Sequence, residues 1–260
     1  MSISVSKLVN GYIRQQILML IPSGIVSVIT SFYNVNNIYS ATMINNENTS
    51  WCNNTIYGYT NGGITFILNN KYHVNTFGNN YGGQMSISTI LGKKGINVIS
   101  SGLENSEYFI QTKKRYLYRF TKTMILSKKK FAVSIKHIEC GKLHALLLSH
   151  NNTVYGTGNN KYCQLSSEYK GRNIYSIQKL SFDNVKQIAC TSLSSFVLCH
   201  DKVLYSFGHN FYGELGLNMT DIMYDINNIP GIRVDSVNAG GYHVSIISID
   251  GDVYMFGYNR

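Results

Sequence analysis

A glycine cadence constrains this 260-residue chain more than any other feature. Gly141 to Gly158 and Gly240 to Gly257 each span seventeen positions, and Thr191 to Gly208 repeats the span with threonine in the first slot. The last two windows end 49 residues apart. Each window holds two short apolar runs separated by turn residues, which is the pattern of a β-hairpin. A period near fifty marks propellers and arrays, in which one unit cannot bury its own faces and must stack on its neighbours. The fold class expected is therefore all-β.

The hairpins can be placed individually. Residues 244–249 and 252–256 flank Asp250-Gly251, a pair that predicts a type I′ turn with both central residues at positive φ. Residues 145–149 and 154–158 flank Asn151-Asn152, residues 196–199 and 203–207 flank Asp201-Lys202, and residues 65–68 and 74–77 flank Asn69-Asn70. Lys202 reads as an exposed hairpin tip, and Gly208 as a strand end where the chain must turn. A second signature follows each hairpin. Gly208-His209-Asn210-Phe211-Tyr212-Gly213-Glu214-Leu215-Gly216 is the fullest copy, and Gly78-Asn79-Asn80-Tyr81-Gly82-Gly83-Gln84-Met85 nearly repeats it. Gly158-Asn159-Asn160-Lys161-Tyr162-Cys163-Gln164-Leu165 keeps the frame, with Cys163 in the second glycine slot. Asn80, Asn160 and Asn210 suit hydrogen bonding to the turn's own backbone.

Gly-x-x-His, a strand, a turn, then Val-Tyr-x-Phe-Gly-x-Asn-x-x-Gly-Glu-Leu-Gly resembles the repeat of the regulator of chromosome condensation family. His144 and His243 stand in its histidine slot, and Ser194 replaces histidine in the intervening copy. The resemblance covers roughly residues 55–260. One repeat is degraded: Gly102 and Tyr116-Leu117-Tyr118-Arg119-Phe120 remain, while Thr121-Lys122-Thr123 replaces Gly-x-Asn. The resemblance implies a β-propeller, and members close seven four-stranded blades. This chain supplies four to five repeats over 38–260, an incomplete propeller for which a truncated reading frame is the simplest explanation. A short helical leader is expected at 1–37. There Val9, Tyr12, Ile13, Gln16, Ile17 and Leu20 share one helical face, and Pro22 opens a second short helix. Lys7 and Arg14 before the apolar run outline a signal peptide, but Pro22-Ser23-Gly24 interrupts it without a clean cleavage site. The run is too short and broken to span a membrane.

Five cysteines, Cys52, Cys140, Cys163, Cys190 and Cys199, form no short-spaced framework. Cys140 and Cys190 share one repeat slot, which suits buried packing residues in a reducing intracellular compartment, cytoplasmic or nuclear. Cys140-x-x-x-His144 resembles half a metal site without a second pair. The formal charge of +10 is partly concentrated at Lys113-Lys114-Arg115 and Lys128-Lys129-Lys130. These read as two solvated loops, with weak nucleic-acid or anionic-surface binding as the functional reading.

No catalytic, cofactor or metal set emerges. His144 and His243 recur at one repeat position, as structural hydrogen-bonders do. The glycine-rich turns lack the Lys-Ser/Thr of a phosphate loop, and no nucleophile elbow appears. The expectation is a non-enzymatic protein-interaction platform, with specificity in a variable segment at 217–234. What the resemblance implies as the alternative is guanine-nucleotide exchange on a small Ran-like GTPase, with chromatin binding.

Overall fold

A computed structural model describes residues 55–61, 64–69, 74–78, 95–102, 107–120, 125–168, 171–217 and 223–258. The leader at 1–37 and the turn signature at 79–85 lie outside them. All regular structure among the described residues is β-strand, in antiparallel meanders whose neighbours in sequence are neighbours in the sheet. Among these residues no helix is long and apolar enough to cross a membrane.

The chain divides into two compact units, residues 1–96 and 97–260. The first holds a three-stranded sheet of β1 (Thr55–Asn61), β2 (Ile64–Asn69) and β3 (Val74–Gly78). Ile64 pairs with Gly78 and Leu68 with Val74, as the Asn69-Asn70 hairpin requires.

Four sheets follow. The first joins β4 (Ile96–Ser101), β5 (Tyr108–Thr112), β6 (Tyr116–Phe120) and β7 (Ile125–Lys130). The second joins β8 (Ile135–Cys140), β9 (His144–Ser149), β10 (Val154–Gly158) and β11 (Ile174–Lys179). The third joins β12 (Val185–Cys190), β13 (Ser194–Cys199), β14 (Leu204–Gly208) and β15 (Met223–Asn228). The last is three-stranded: β16 (Val234–Ala239), β17 (His243–Ser248) and β18 (Val253–Gly257). The degraded repeat thus builds a complete four-stranded sheet even without its Gly-x-Asn signature. Residues 217–234, expected as a binding loop, instead contain the outer strand β15, because Tyr205 and Ser206 of β14 pair with Asn228 and Asn227.

Side-chain alternation explains how the sheets stack. Ala145 and Leu147 of β9 pack with Val98, Phe109 and Leu117 of the preceding sheet. Leu146 and Leu148 point the other way, onto Val185, Ile188 and Val197 of the following one. Strand β13 does the same, sending Phe196 and Leu198 towards Val234, Val237, Val244 and Ile246. Strands buried on both faces read as continuous apolar runs, which is why β9 and β13 are buried throughout. Strand β17 alternates between buried and exposed, since one of its faces is covered.

The four hairpin tips in these sheets share a geometry that differs from the expected type I′ turn. Arg115, Asn152, Lys202 and Gly251 alone take positive φ in their turns, at 63°, 61°, 71° and 88°. Each of their amides donates to a carbonyl three residues back, at Thr112, Ser149, Cys199 and Ser248. That is a three-residue loop closed by one left-handed residue, so Asp250 needs no positive φ. Lys202 is not a free tip. Its carbonyl accepts from the Val234 amide at 2.9 Å, and its ammonium lies 2.7 Å from Asp235 Oδ1, which Lys186 also contacts at 2.9 Å. These two cations, Lys202 first, hold the Asp235 carboxyl down to about 2.

Candidate functional site

In the second and third four-stranded sheets, at the end opposite the hairpin tips, the Gly-x-Asn turn is closed from within. Asn160 Oδ1 accepts from the Leu165 amide at 2.8 Å, and Asn210 Oδ1 accepts from Leu215 at 2.9 Å. Gln164 Oε1 takes the Tyr162 amide at 2.9 Å, while Glu214 Oε2 takes the Tyr212 amide at 2.8 Å. The Gln/Glu slot is therefore a buried turn-closer. Glu214 uses its other oxygen on His209 Nδ1 at 2.5 Å, where Gln164 instead donates to Asn159 at 3.1 Å. Cys163 takes a φ of 59° in the slot where Gly213 has 72°, so its left-handed conformation is imposed by the turn.

Neighbouring sheets are tied together at this end. Lys142 N–H donates to Ser192 O at 2.9 Å, and Ser192 N–H donates to Gly241 O at 2.7 Å, from equivalent positions of three successive repeats. His144, buried on β9, reaches Ser195 Oγ of the next sheet at 3.1 Å. Ser195 Oγ donates its proton to Gln164 O at 2.6 Å, so in this network the imidazole must be the donor through Nε2. A nucleophilic serine would need the opposite polarity, with its proton directed at the histidine. Burial also holds the His144 pKa down, to about 4, keeping the ring neutral. His144 is a strut between repeats, as its recurrence suggested. His243 lies exposed on β17.

The four cysteines among the described residues are packing residues. Cys140, Cys163, Cys190 and Cys199 are buried, and none of them is in a disulfide bond. Burial pushes the Cys140 and Cys190 thiols far up and that of Cys199 to about 11. Cys190 Sγ donates to Glu139 O at 3.6 Å. No group of three metal-ligating side chains occurs among the described residues.

What the same turns present outward is aromatic. The Tyr162 ring lies 5.1 Å from His209 of the next repeat, and Tyr212 lies 4.8 Å from Tyr258 of the repeat after that. Tyr162 and Tyr212 share one repeat slot, as do His209 and Tyr258, so one contact is made twice. Phe211 and Tyr242 extend the belt, at 5.5 and 5.4 Å from Tyr212. Phe211 is 68% exposed, Tyr258 44% and Tyr212 40%. Large rings this accessible and this contiguous are unusual away from an interface. Reading the repeats one at a time missed this belt; aligning the slots across repeats is the signal that reveals it.

The two basic runs fall at the other end of the first four-stranded sheet. Residues 113–115 form a hairpin tip, as a loop reading expects. Residues 128–130, also read as a loop, instead lie in strand β7, because their backbone pairs with 116–118.

Comparison with known proteins fits this architecture. Residues 135–164, which run from β8 through the Gly-x-Asn turn, match the family model described as the Regulator of chromosome condensation (RCC1) repeat. The structure superposes on human WBSCR16 with a TM-score of 0.62 and 18% identity, covering 79% of this chain and 62% of that one. It superposes on Prp20p from Saccharomyces cerevisiae, studied for its binding to Gsp1p and histones, with a TM-score of 0.59 and 20% identity over 78% and 57% of the two chains. The Kap60-bound form of the same yeast protein gives 0.60 and 19%, over 78% and 56%. The chain thus spans about three-fifths of the length of these structures. No curated relative matches the sequence. The chain is a β-propeller protein by fold class, and its residues 135–164 form a regulator of chromosome condensation repeat.

Proposed function

We propose that this chain is a non-enzymatic protein-interaction platform whose contact surface is the aromatic belt. The observation that carries the reading is the contiguous run of Tyr162, His209, Phe211, Tyr212, Tyr242 and Tyr258, of which Phe211, Tyr212 and Tyr258 are exposed, built largely on two turns closed by their own buried side chains. Aromatic side chains on a rigid support contribute most of the energy at protein interfaces, because their large surfaces are buried at small entropic cost. The polarity of the His144–Ser195 pair supports the non-enzymatic part. Four buried cysteines outside any disulfide suit a reducing setting, cytoplasmic or nuclear.

The test is quantitative co-purification with the wild type and with a Phe211→Ser/Tyr212→Ser variant of equal melting temperature. Loss of the same partners in the variant supports the platform, and undiminished recovery opposes it. Guanine-nucleotide exchange on a Ran-like GTPase is the second reading, favoured by likeness in fold to Prp20p. It requires tighter binding to the nucleotide-free GTPase than to the loaded one. Release of fluorescent GDP accelerated a hundredfold or more by stoichiometric protein would establish it over the platform.

A further inference from the structure

The two basic runs are twelve residues apart in sequence, and the fold joins them. Lys113, Lys114 and Arg115 form the tip between β5 and β6. In β7, Lys128, Lys129 and Lys130 lie opposite Tyr118, Leu117 and Tyr116 of β6. The Phe131 amide donates to Arg115 O at 2.8 Å, closing the corner. Residues 113–115 and 127–130 are all exposed. Residues 108–138 contain nine of the chain's 23 lysines and arginines and none of its 13 acidic residues.

Lysines on an outer strand also serve to repel stray strands. The equivalent outer strands of this chain show how little that role needs here. β11 reads IYSIQK, with one lysine, and β15 reads MYDINN, with none. Three lysines in β7, continued by three cations at the adjoining tip, exceed it.

The composition of the corner narrows what could bind. Among the residues from 95 to 142 whose side chains are described, no large apolar one is exposed, so the tip and the adjoining lysines offer no anchor around which a protein interface forms. Its aromatics are covered: Tyr118 is 3% exposed, and Lys128 Nζ lies 5.0 Å from the Tyr116 ring centre and 5.8 Å from that of Tyr118. Unpaired bases would therefore find no stacking platform. Arg115 Nη1 donates to Ala132 O at 2.7 Å, which leaves lysines, compact point charges, as the outward groups. Along a strand, Lys128 and Lys130 stand about 7 Å apart, and the hairpin tip extends their row. A linear row of point charges suits a polymer of phosphates.

We propose that this corner, Lys113 to Arg115 with Lys128 to Lys130, is a sequence-independent contact site for the phosphate backbone of double-stranded nucleic acid. It stands apart from the aromatic belt and does not rest on the platform reading.

The experiment measures binding of the full chain to labelled duplexes of about 20 bp, DNA and RNA, by fluorescence anisotropy between 50 and 200 mM salt. Lys128→Gln/Lys129→Gln/Lys130→Gln is compared with Lys161→Gln/Arg172→Gln/Lys179→Gln, which removes equal charge from exposed positions of the next repeat. Lys114→Glu reads the site from the tip without touching the sheet. The β7 variant should bind a duplex at least tenfold more weakly at low salt, with its salt slope reduced by about 1.8 for the two contacts, Lys128 and Lys130, that share one face. The control should change less than about twofold, and oligo-dT, phosphatidylserine vesicles and polyglutamate should all bind more weakly than duplex. Absence of duplex binding, equal loss in the two triple variants, an unaffected Lys114→Glu, or tighter binding to vesicles or polyglutamate would each overturn the proposal.

Discussion

The imidazole of His144 occupies the space that a Cβ on Gly141 would need, and His243 stands in the same relation to Gly240. In the repeat between them both members of the pair change. Thr191 replaces the glycine and Ser194 the histidine, and the Thr191 hydroxyl accepts the Ser194 amide at 3.0 Å. First glycine and histidine are thus one packing unit: the small residue makes room, and the ring fills it and reaches the next sheet.

That unit predicts a specific non-additivity. Gly141→Thr alone forces the added side chain into the ring and is expected to destabilise the protein by about 1–3 kcal/mol. His144→Ser alone loses the buried ring and its bond to Ser195. The double variant reproduces the Thr191/Ser194 arrangement and should recover at least about 1 kcal/mol relative to the sum of the single effects. Chemical denaturation of the four proteins measures the coupling; additive single effects would oppose it.

Gly208 and Lys202 should respond very unequally to substitution. At Gly208, with φ at 117°, a Cβ would stand 2.7 Å from Leu193 O and 2.9 Å from the Ser194 Cα. Gly208→Val is expected to cost about 3 kcal/mol or more, seen as a large fall in melting temperature. Lys202→Gly relieves a left-handed lysine but gives up its contact with Asp235, so its melting temperature should stay near that of the wild type.

Acid and alkaline limbs of stability should have separable origins. Burial raises the Glu139 carboxyl to about 7. A raised acid favours the folded state while protonated, so this contribution is full below about pH 4.5 and is lost as pH rises through 7. Burial lowers His144 to about 4, so its contribution is full above 6.5 and is lost as pH falls towards 4. Glu139→Gln is therefore expected to stabilise at pH 8 and to do little at pH 4.5. The full shift would correspond to about 3 kcal/mol, but Glu139 is partly exposed, and about 1–2 kcal/mol is expected. Urea denaturation at the two pH values checks the sign.

Repeats made most of the fold legible. The apolar runs at 145–149 and 196–199 lie within β9 and β13, and the glycine slots fall at strand ends, because hairpin strands and positive-φ turns impose local composition. Lys202 was misread because its neighbour, Asp235, lies 33 residues away in the next repeat, and tip exposure cannot be judged within one hairpin. Residues 128–130 were misread because three consecutive lysines lack the alternation that marks a strand, although pairing with β6 makes them one. The aromatic belt was missed for a similar reason: Tyr212 and Tyr258 are local turn residues in sequence and become partners only when repeats stack.

The central claim, that partners dock on the aromatic belt, is tested most directly by hydrogen–deuterium exchange of the chain with and without a partner recovered by the wild type. The account expects new protection at 158–165, 208–216 and 240–243, with the hairpin tips at 150–152, 200–202 and 249–251 unchanged. Protection at those tips with none on the three turn segments would contradict it.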